Sequence, residues 1–319
     1  MNEPEFVEVA NDVFAYLQPD GTWGWSNAGL VVGDDESTLV DTLFDLSLTR
    51  AMLDTMRPQV ERRPIRHLVN THANGDHCYG NQLVAAPGVD VIASAAAARE
   101  MDEVPPALLA AMVDGADDDA LGRYVRHAFG AFDFHDIDPP SPTVTFEGTH
   151  AVESGGRRVE LFEVGPAHTA GDVIAWMPEE RVVFTGDILF IEGTPIMWAG
   201  PLSGWIDALD RIVALEPSVI VPGHGPLTDV AGVVRLRDYF VLVGEMVGER
   251  HAGGMTVEDA IRDIDAHIDD TPYAEWTDRE RIVVNVQTIW KELDAAFTPP
   301  DVLTIFRMMA AYHEEHLHA

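Results

Sequence analysis

Four short turns in this chain each carry a histidine or an aspartate close to a glycine, and each follows a strand-like run. In chain order they are "THANGDH" (71–77), "GPAHTAGD" (165–172), "FTGDIL" (184–189) and "VPGHGP" (221–226). Glycine permits the tight turn that points a side chain inward at a strand end. Imidazole and carboxylate groups are the ligands that suit zinc and related first-row metals. The sequence therefore favours a fold that gathers several strand ends around a metal.

Taken one at a time, these turns are weak signals. A lone histidine in a loop is more often a surface or hydrogen-bonded residue than a ligand, and "TGD" or "PGHG" alone is an ordinary turn. The joint pattern is more specific, because the four turns occur in order and each stands at a strand end. Their metal-competent residues are His72, Asn74, Asp76, His77, His168, Asp172, Asp187 and His224.

Strand-like and helical segments alternate along the chain in two successive halves. Runs such as "FVEVANDVFAYL" (6–17) and "AGLVVGDDESTLVDT" (28–42) favour strands, whereas "SGWIDALDRIVALEP" (203–217) has helical spacing. The helices exclude an all-β fold, and the Val-rich runs exclude an all-α fold. The predicted class is α/β, or layered α+β.

Two regions are helical throughout and depart from this alternation. Residues 96–136 are interpreted as a helical insertion, and residues 231–319 as a helical extension packed on a catalytic domain that spans 1–230. The apolar stretches "DYFVLVGEMV" and "LTIFRMMAAY" in the extension suit core packing, with a homodimer interface as the alternative. The stretch "HEEHLH" (313–318) is interpreted as a frayed helical tail, with adventitious metal binding left open.

The composition excludes several classes of partner. The formal net charge is -34, from 54 acidic and 20 basic side chains, so the surface repels nucleic acid and anionic membranes. No apolar run reaches the ~18 residues of a membrane span, and the first residues lack a basic-then-apolar signal pattern. We therefore expect a cytoplasmic protein whose partner is a small-molecule substrate. Cys78 is the only cysteine, so no intrachain disulfide is expected.

The blocks "HANGDH", "AHTAGD", "TGD" and "PGHG" together resemble the signature of the metallo-β-lactamase-fold hydrolases. That signature is H-x-H-x-D-H, followed by a histidine, a bridging aspartate and a late histidine. The resemblance covers about residues 6–230. It implies an αββα sandwich with one or two zinc ions at one edge of two packed sheets, and iron or manganese as alternative metals.

The resemblance also divides the candidate ligands between two metal sites. Site one would be formed by His72, Asn74 and His168, and site two by Asp76, His77 and His224. Asp187 would bridge both sites. Asp41, in "TLVDT", resembles the family's aspartate at the end of an early strand, which braces the metal loop from behind the ligands.

Asn74 is the departure from the family pattern, which has a histidine at this position. A neutral amide oxygen is a weaker zinc ligand than an imidazole nitrogen, so we expect site two to fill first. Site one is expected to bind its metal more weakly, to keep more water ligands, or to be empty, with a metal affinity lower by ~10- to 100-fold or more. The alternative is that Asn74 turns away and hydrogen-bonds its own loop, because Asn-Gly favours a tight turn with positive φ.

The ligand set suits a hydrolase. A divalent metal lowers the pKa of bound water toward ~7, which gives a hydroxide that attacks a carbonyl, and Asp76 would orient it or carry its proton. An ester, lactone, thioester or amide is the expected substrate. The alternatives are a mononuclear-iron sulfur or redox relative, and a ligand-binding member of the fold without turnover.

Aromatic residues near the predicted metals suggest a lidded pocket for an apolar or aromatic substrate. The candidate lining residues are Trp23, Trp25, Phe190, Met197 and Trp198. The insertion adds Tyr124, His127, Phe129, Phe132 and Phe134, which alternatively pack only the insertion itself.

Overall fold

The structure, a computed structural model, describes residues 3–317 and contains two β-sheets. The first sheet has seven strands in sequential order, antiparallel from β1 to β4 and parallel from β4 to β7. Its strands are β1 Glu5–Ala10, β2 Val13–Leu17, β3 Ala28–Val32, β4 Ser37–Val40, β5 Ile65–Val69, β6 Asp90–Ser94 and β7 Val144–Phe146.

The second sheet has five strands in the order β12-β11-β10-β9-β8, and only the β11–β12 pair is parallel. Its strands are β8 Thr149–Ser154, β9 Arg157–Glu163, β10 Val173–Met177, β11 Val182–Phe184 and β12 Val219–Val221.

Helices cover the outer faces. They are α1 Leu46–Val60, α2 Gly75–Cys78, α3 Ala95–Glu100, α4 Pro106–Asp114, α5 Ala120–Phe129, α6 Leu202–Ala214, α7 Val230–Ala252, α8 Val257–Ile268, α9 Ile282–Leu293 and α10 Val302–Leu317. Short 3₁₀ turns occupy Tyr79–Leu83, Gly186–Ile188 and Arg279–Arg281.

Side-chain alternation along the strands builds the layers. In β3, Leu30 packs with Met52 of α1, whereas Val31 on the opposite face packs with Val159 of the second sheet. Successive strand residues point to opposite faces, and here both faces are covered, so the strand is apolar throughout. The outer face of the second sheet packs through residues such as Trp176 against the remaining helices. The predicted αββα sandwich and mixed α/β class are confirmed.

The predicted helical regions join the core. α3 to α5 lie within the predicted insertion, and α7 to α10 follow the ligand-bearing half of the chain. Phe129 of α5 and Met309 of α10 belong to the same apolar cluster as Trp205 of α6. The expectation of a frayed tail is wrong for His313 and His316, which lie within α10 and contact acidic side chains; His318 lies outside the described residues.

Candidate metal centre

The site forms where strands of both sheets end. β11 and β12 pair in parallel with Phe184 opposite Val221, and Asp187 and His224 each follow their strand by three residues. His72 follows the end of β5 at the same interval. Because parallel strands end at the same edge of a sheet, equal intervals bring Asp187 and His224 together, and the end of β5 in the other sheet meets them there.

The carboxylate of Asp187 lies among four imidazole rings. Its Oδ1 is 3.1 Å from Nε2 of His77. Its Oδ2 is 3.4 Å from Nε2 of His168, 3.5 Å from that of His224 and 3.8 Å from that of His72. All five residues are at most 4% exposed. The structure thus brings the residues of all four turns into one buried cluster.

The two other acidic residues of these turns have different surroundings. Asp76 Oδ2 lies 3.2 Å from Nε2 of His224 and 3.8 Å from Nε2 of His77, so Asp76 belongs to the cluster. Asp172 instead accepts hydrogen bonds from the backbone N–H and the hydroxyl of Thr169, within its own turn. Burial raises the pKa of Asp172 to about 7. Its contacts indicate that Asp172 shapes the turn that presents His168.

A single buried carboxylate orients two of the imidazoles. His77 Nδ1 donates to Asp41 Oδ2 at 2.9 Å, which leaves Nε2 free to face the cluster. Thr71 donates its backbone N–H and its hydroxyl to Asp41, both at 2.7 Å. The same hydroxyl lies 3.0 Å from His72 Nδ1 and accepts from it. Asp41 therefore fixes the tautomer of His77 directly and that of His72 through Thr71, as carboxylates behind metal-binding histidines do.

Asp41 holds an unusual backbone conformation for this purpose. Its φ is +62°, in the left-handed region, and it is 2% exposed. Aspartate and asparagine tolerate this region better than most residues. The turn sends the carboxylate toward the loop at 70–77 immediately after β4 ends at Val40, which places Asp41 where the sequence predicted a brace.

Asn74 faces site one in the structure. Its Nδ2 lies 3.2 Å from Nε2 of His168. Its backbone is extended, with φ -68° and ψ 143°, and it directly precedes α2 without a side-chain cap. The alternative of a positive-φ Asn-Gly turn with the side chain directed away is therefore wrong. The amide donates to His168, and it would have to rotate by half a turn for its Oδ1 to face a metal.

The pKa values of the clustered side chains are shifted in opposite directions. Burial alone would favour a neutral ring, but Asp187, Asp76 and Asp41 raise the pKa of His77 well above its ordinary value. Burial and the neighbouring charge of His77 hold the pKa of His72 well below it. Burial would raise the pKa of Asp187, but the surrounding imidazoles, His224 first, lower it well below its usual range. The site therefore combines an ionised carboxylate with both charged and neutral imidazoles.

The donor set fits a divalent cation. Two groups of buried ligand atoms each lie within 4.8 Å of one another, His72 with His77 and Asp187, and Asp76 with His77 and His224. Within residues 3–317, Nε2 of His72 has no hydrogen-bond partner, and Nε2 of His77 and Oδ1 of Asp187 lie 3.1 Å apart without the alignment of a hydrogen bond. Unpaired buried polar atoms cost ~1–3 kcal/mol each, and a cation supplies the missing partner. The second group equals the predicted site two, whereas the first contains His77 where site one was predicted to have His168.

Asn27 is a residue of the site that the sequence analysis missed. Its amide donates to the carbonyl oxygens of Pro222 and Gly225, at 3.0 and 2.8 Å, on either side of His224. Its backbone N–H donates to Gly223 at 2.8 Å. These bonds clamp the turn that carries His224. The available signal was the polar pair Ser26-Asn27 directly before the apolar strand β3 in "SNAGLVV".

The predicted pocket residues lie in two environments. Phe190 is buried and stacks on His224, with ring centroids 5.1 Å apart and an interplanar angle of 6°. Met197 is also buried. The three tryptophans are half-buried among aromatic residues of the insertion and the extension: Trp25 lies beside Phe132, Trp23 beside Phe129 and Phe306, and Trp198 beside Phe306. The insertion aromatics therefore contact the β2–β3 loop at 18–27 as well as one another; their role as a substrate pocket stays a prediction.

No helix within the described residues 3–317 is long and apolar enough to cross a membrane.

The model of the metallo-beta-lactamase superfamily matches residues 21–224 of this chain. The chain is 22% identical over 228 residues to metallo-beta-lactamase type 2 of Bacteroides fragilis, which covers 69% of this chain and 78% of that protein. It is 35% identical over 89 residues to the beta-lactamase-like protein 2 homolog of Caenorhabditis elegans, but that match spans only 29% of the relative's length and 26% of this chain.

Among solved structures, the sec-alkylsulfatase Pisa1 from Pseudomonas sp. matches with a TM-score of 0.67 and 16% identity. The match covers 92% of this chain and 51% of the sulfatase, so the likeness in fold includes most of the helical extension. The family match contains every predicted ligand from His72 to His224, and it confirms the predicted class of metallo-hydrolase. The chain belongs to the metallo-beta-lactamase superfamily.

Proposed function

We propose that the protein is a metal-dependent hydrolase that hydrolyses an ester, lactone, thioester or amide bond of a small molecule. The observation that carries this proposal is the convergence of four imidazole Nε2 atoms on the carboxylate of Asp187, within 3.1 to 3.8 Å. A bound divalent cation supplies a water that ionises near neutral pH and a Lewis acid for the carbonyl oxygen.

The residues of site two would hold that cation. Asp76, His77 and His224 offer three good ligands, and Asp187 offers a fourth. Asp76 is the most exposed of these carboxylates, with 12% of its side chain accessible. It is the group that accepts the proton of the attacking water and returns it to the leaving group.

Site one would bind a second cation more weakly. It has two imidazoles, His72 and His168, and the neutral amide of Asn74 in place of a third. The contact between Asn74 and His168 must also be broken before His168 Nε2 can bind a metal. Zinc suits the nitrogen and carboxylate donors, and iron and manganese are the alternative metals.

The half-buried tryptophans support an apolar or aromatic substrate. Trp25 lies beside Phe132 of the insertion, and Trp23 and Trp198 lie beside Phe306 of α10. Apolar walls with a few polar groups at one end are typical of small-molecule sites.

The test measures metal content per chain together with hydrolysis of a panel of lactones, esters, thioesters and β-lactams. We expect turnover that depends on Zn, Mn or Fe, and that falls by about 100-fold or more in Asp76→Asn. Asp270→Asn, a change at an exposed carboxylate, is the matched control and should leave the rate unchanged.

Other outcomes identify other functions. Metal binding without turnover on any substrate class would indicate a ligand-binding protein instead of a hydrolase. One tightly held iron with redox activity towards sulfur compounds, and no hydrolysis, would replace it by a mononuclear-iron relative.

A further inference from the structure

The loop at 192–202 connects the metal-site histidine His168 to helix α9. His168 Nδ1 donates to the carbonyl oxygen of Ile196 at 2.7 Å. The backbone N–H groups of Trp198 and Ala199 donate to the carbonyl oxygen of His168, at 3.0 and 3.1 Å. The loop therefore holds both the ring and the main chain of His168.

Polar side chains along one face of helix α9 in turn form hydrogen bonds with this loop. Arg281, just before α9, donates to Thr194 at 3.0 Å. Thr288 donates to the carbonyl oxygen of Met197 at 2.8 Å, and Glu292 accepts from the N–H of Leu202 at 2.8 Å. Together with Asn285, these positions follow the 3.6-residue period and share one helix face.

Asn285 forms a hydrogen bond with the peptide group that His168 also contacts. Its Oδ1 accepts from the N–H of Met197, and its Nδ2 donates to the carbonyl oxygen of Pro195, both at 2.8 Å. The N–H of Met197 and the C=O of Ile196 belong to one planar peptide unit and point in opposite directions. One peptide unit is thus held by Asn285 at one end and by His168 at the other.

We propose that Asn285 is a positioning residue for the metal centre, which orients His168 through the peptide unit between Ile196 and Met197. Asn285 is fully buried, and both halves of its amide are used. Fixing the N–H of this unit fixes the direction of the carbonyl, which keeps the proton of His168 on Nδ1 and leaves the Nε2 lone pair facing the site. Hydrogen bonds in such a chain also polarise one another.

The effect on metal binding rests on the proposed function, because it requires His168 to be a ligand. The effect on the tautomer does not, and it is measured in the metal-free protein. The first measurement is the tautomer of neutral His168 from its ¹⁵N imidazole shifts. We expect the Nδ1–H form in the natural protein and a mixture of both forms in Asn285→Leu. The second measurement is zinc affinity by competition with a chelator.

For zinc, we expect the site that contains His168 to weaken by ~10- to 100-fold in Asn285→Leu, as for other groups behind metal ligands. Gln287→Leu is the control, because Gln287 is a buried amide on the same helix that contacts Met308 of α10 and not the loop at 192–202. It should leave both measurements unchanged. Asn285→Ser removes the Asn285 amide with a smaller polar side chain, so it carries the test if the leucine variant does not fold.

An unchanged His168 tautomer in both Asn285 variants overturns the positioning role. An altered tautomer with zinc binding unchanged supports the positioning role, and shows that His168 is not a ligand; that result counts against the proposed metal centre alone.

Discussion

Asn74 places an amide where the family pattern has an imidazole, and its side chain already faces His168. Replacing it by histidine adds an imidazole donor to site one and removes the hydrogen bond that occupies His168 Nε2. We expect Asn74→His to raise the metal content toward two ions per chain, with site-one affinity higher by ~10- to 100-fold. Elemental analysis after dialysis against a fixed free-zinc concentration measures this.

Asn74→Ala is the companion variant, since it removes the amide without adding a ligand. Site-two affinity should be the same in both variants. Identical metal content in the natural protein, Asn74→His and Asn74→Ala would show that position 74 takes no part in metal binding.

Asp41 orients His77 directly and His72 through Thr71. Asparagine tolerates the φ of +62°, so Asp41→Asn changes the chemistry with little backbone strain. An amide NH₂ facing His77 Nδ1 requires that nitrogen to accept, which moves the ring proton to Nε2 and blocks the ligand atom. We expect zinc affinity to fall by ~10- to 100-fold, measured by chelator competition.

Asp45→Asn is the control for this change. Asp45 is a buried carboxylate four residues further on, and it caps α1 by accepting from the N–H of Leu48. Asparagine is also a good N-cap, so zinc affinity should not change. Equal affinities for Asp41→Asn and the natural protein would mean that Asp41 does not orient a ligand.

The pH dependence of metal binding follows from the protonated imidazoles. Burial would lower the pKa of His224, but Asp187 and Asp76 raise it to about 9. In the metal-free protein His224 therefore carries a proton below about pH 9, which a metal must displace. Affinity should rise with pH up to about 9 and fall as pH falls, by about tenfold per pH unit for each proton displaced.

Titration calorimetry at pH 7 in buffers of different ionisation enthalpy counts the protons released. We expect at least one per metal. A zero slope against buffer enthalpy would show that the imidazoles are already neutral.

Among the secondary-structure elements, three segments that are distant in sequence are linked by the side chain of Glu280. It accepts from the hydroxyl of Tyr124 in α5 at 2.9 Å and from the indole N–H of Trp23 in the β2–β3 loop at 3.0 Å. His313 of α10 lies 3.8 Å from its other oxygen. Burial would raise the pKa of Glu280, but His313 and Trp23 lower it to about 2. A lowered pKa means that this stabilisation is fully present above the unfolded value and is lost as pH falls toward about 2.

We expect Glu280→Gln to lower the free energy of unfolding by ~1–3 kcal/mol, because it weakens buried hydrogen bonds to a charged group. Urea denaturation at pH 7 measures this. Glu314→Gln is the matched control, since Glu314 pairs with Arg123 across the same two helices on the exposed side, where an ion pair is worth ~0.2–1 kcal/mol. Equal losses in the two variants would contradict a special role for Glu280.

The ligand-bearing turns could be predicted from sequence because their signal is local. A strand, a glycine and an imidazole or carboxylate lie within a few residues of each other. The order of the four turns along the chain makes the joint pattern specific. Asn285, unlike Asp41, could not be predicted in this way. Asn285 acts on His168 from 117 residues away through one peptide group, and only the packing of α9 on the loop at 192–202 reveals it.

At the scale of the whole molecule, the two sheets and the added helices share one apolar core. Trp205 of α6 packs on Phe240 of α7, with ring centroids 4.5 Å apart, across the predicted domain boundary at 230. Both residues are fully buried. The alternation of strands and helices predicted the α/β class correctly and the family resemblance implied the sandwich, but periodicity alone could not show what the extension packs against.

We expect a chain ending at residue 230 to be insoluble or molten, because it exposes the face of α6 that α7 covers and loses the bonds of α9 to the loop at 192–202. Soluble expression and near-ultraviolet circular dichroism of the truncated chain measure this. A soluble 1–230 fragment with native tertiary signals would establish the boundary at 230 as that of an independent domain.

The reach of α9 to His168 has a consequence for synthesis on the ribosome. Residues 72 to 224 emerge before residue 285, and chains fold from their N-terminus as they emerge. A nascent chain therefore displays every candidate ligand while the peptide unit beside His168 is still free to rotate. We therefore expect a metal bound at that stage to be held less selectively than in the finished protein, because α9 has not yet fixed the peptide unit beside His168.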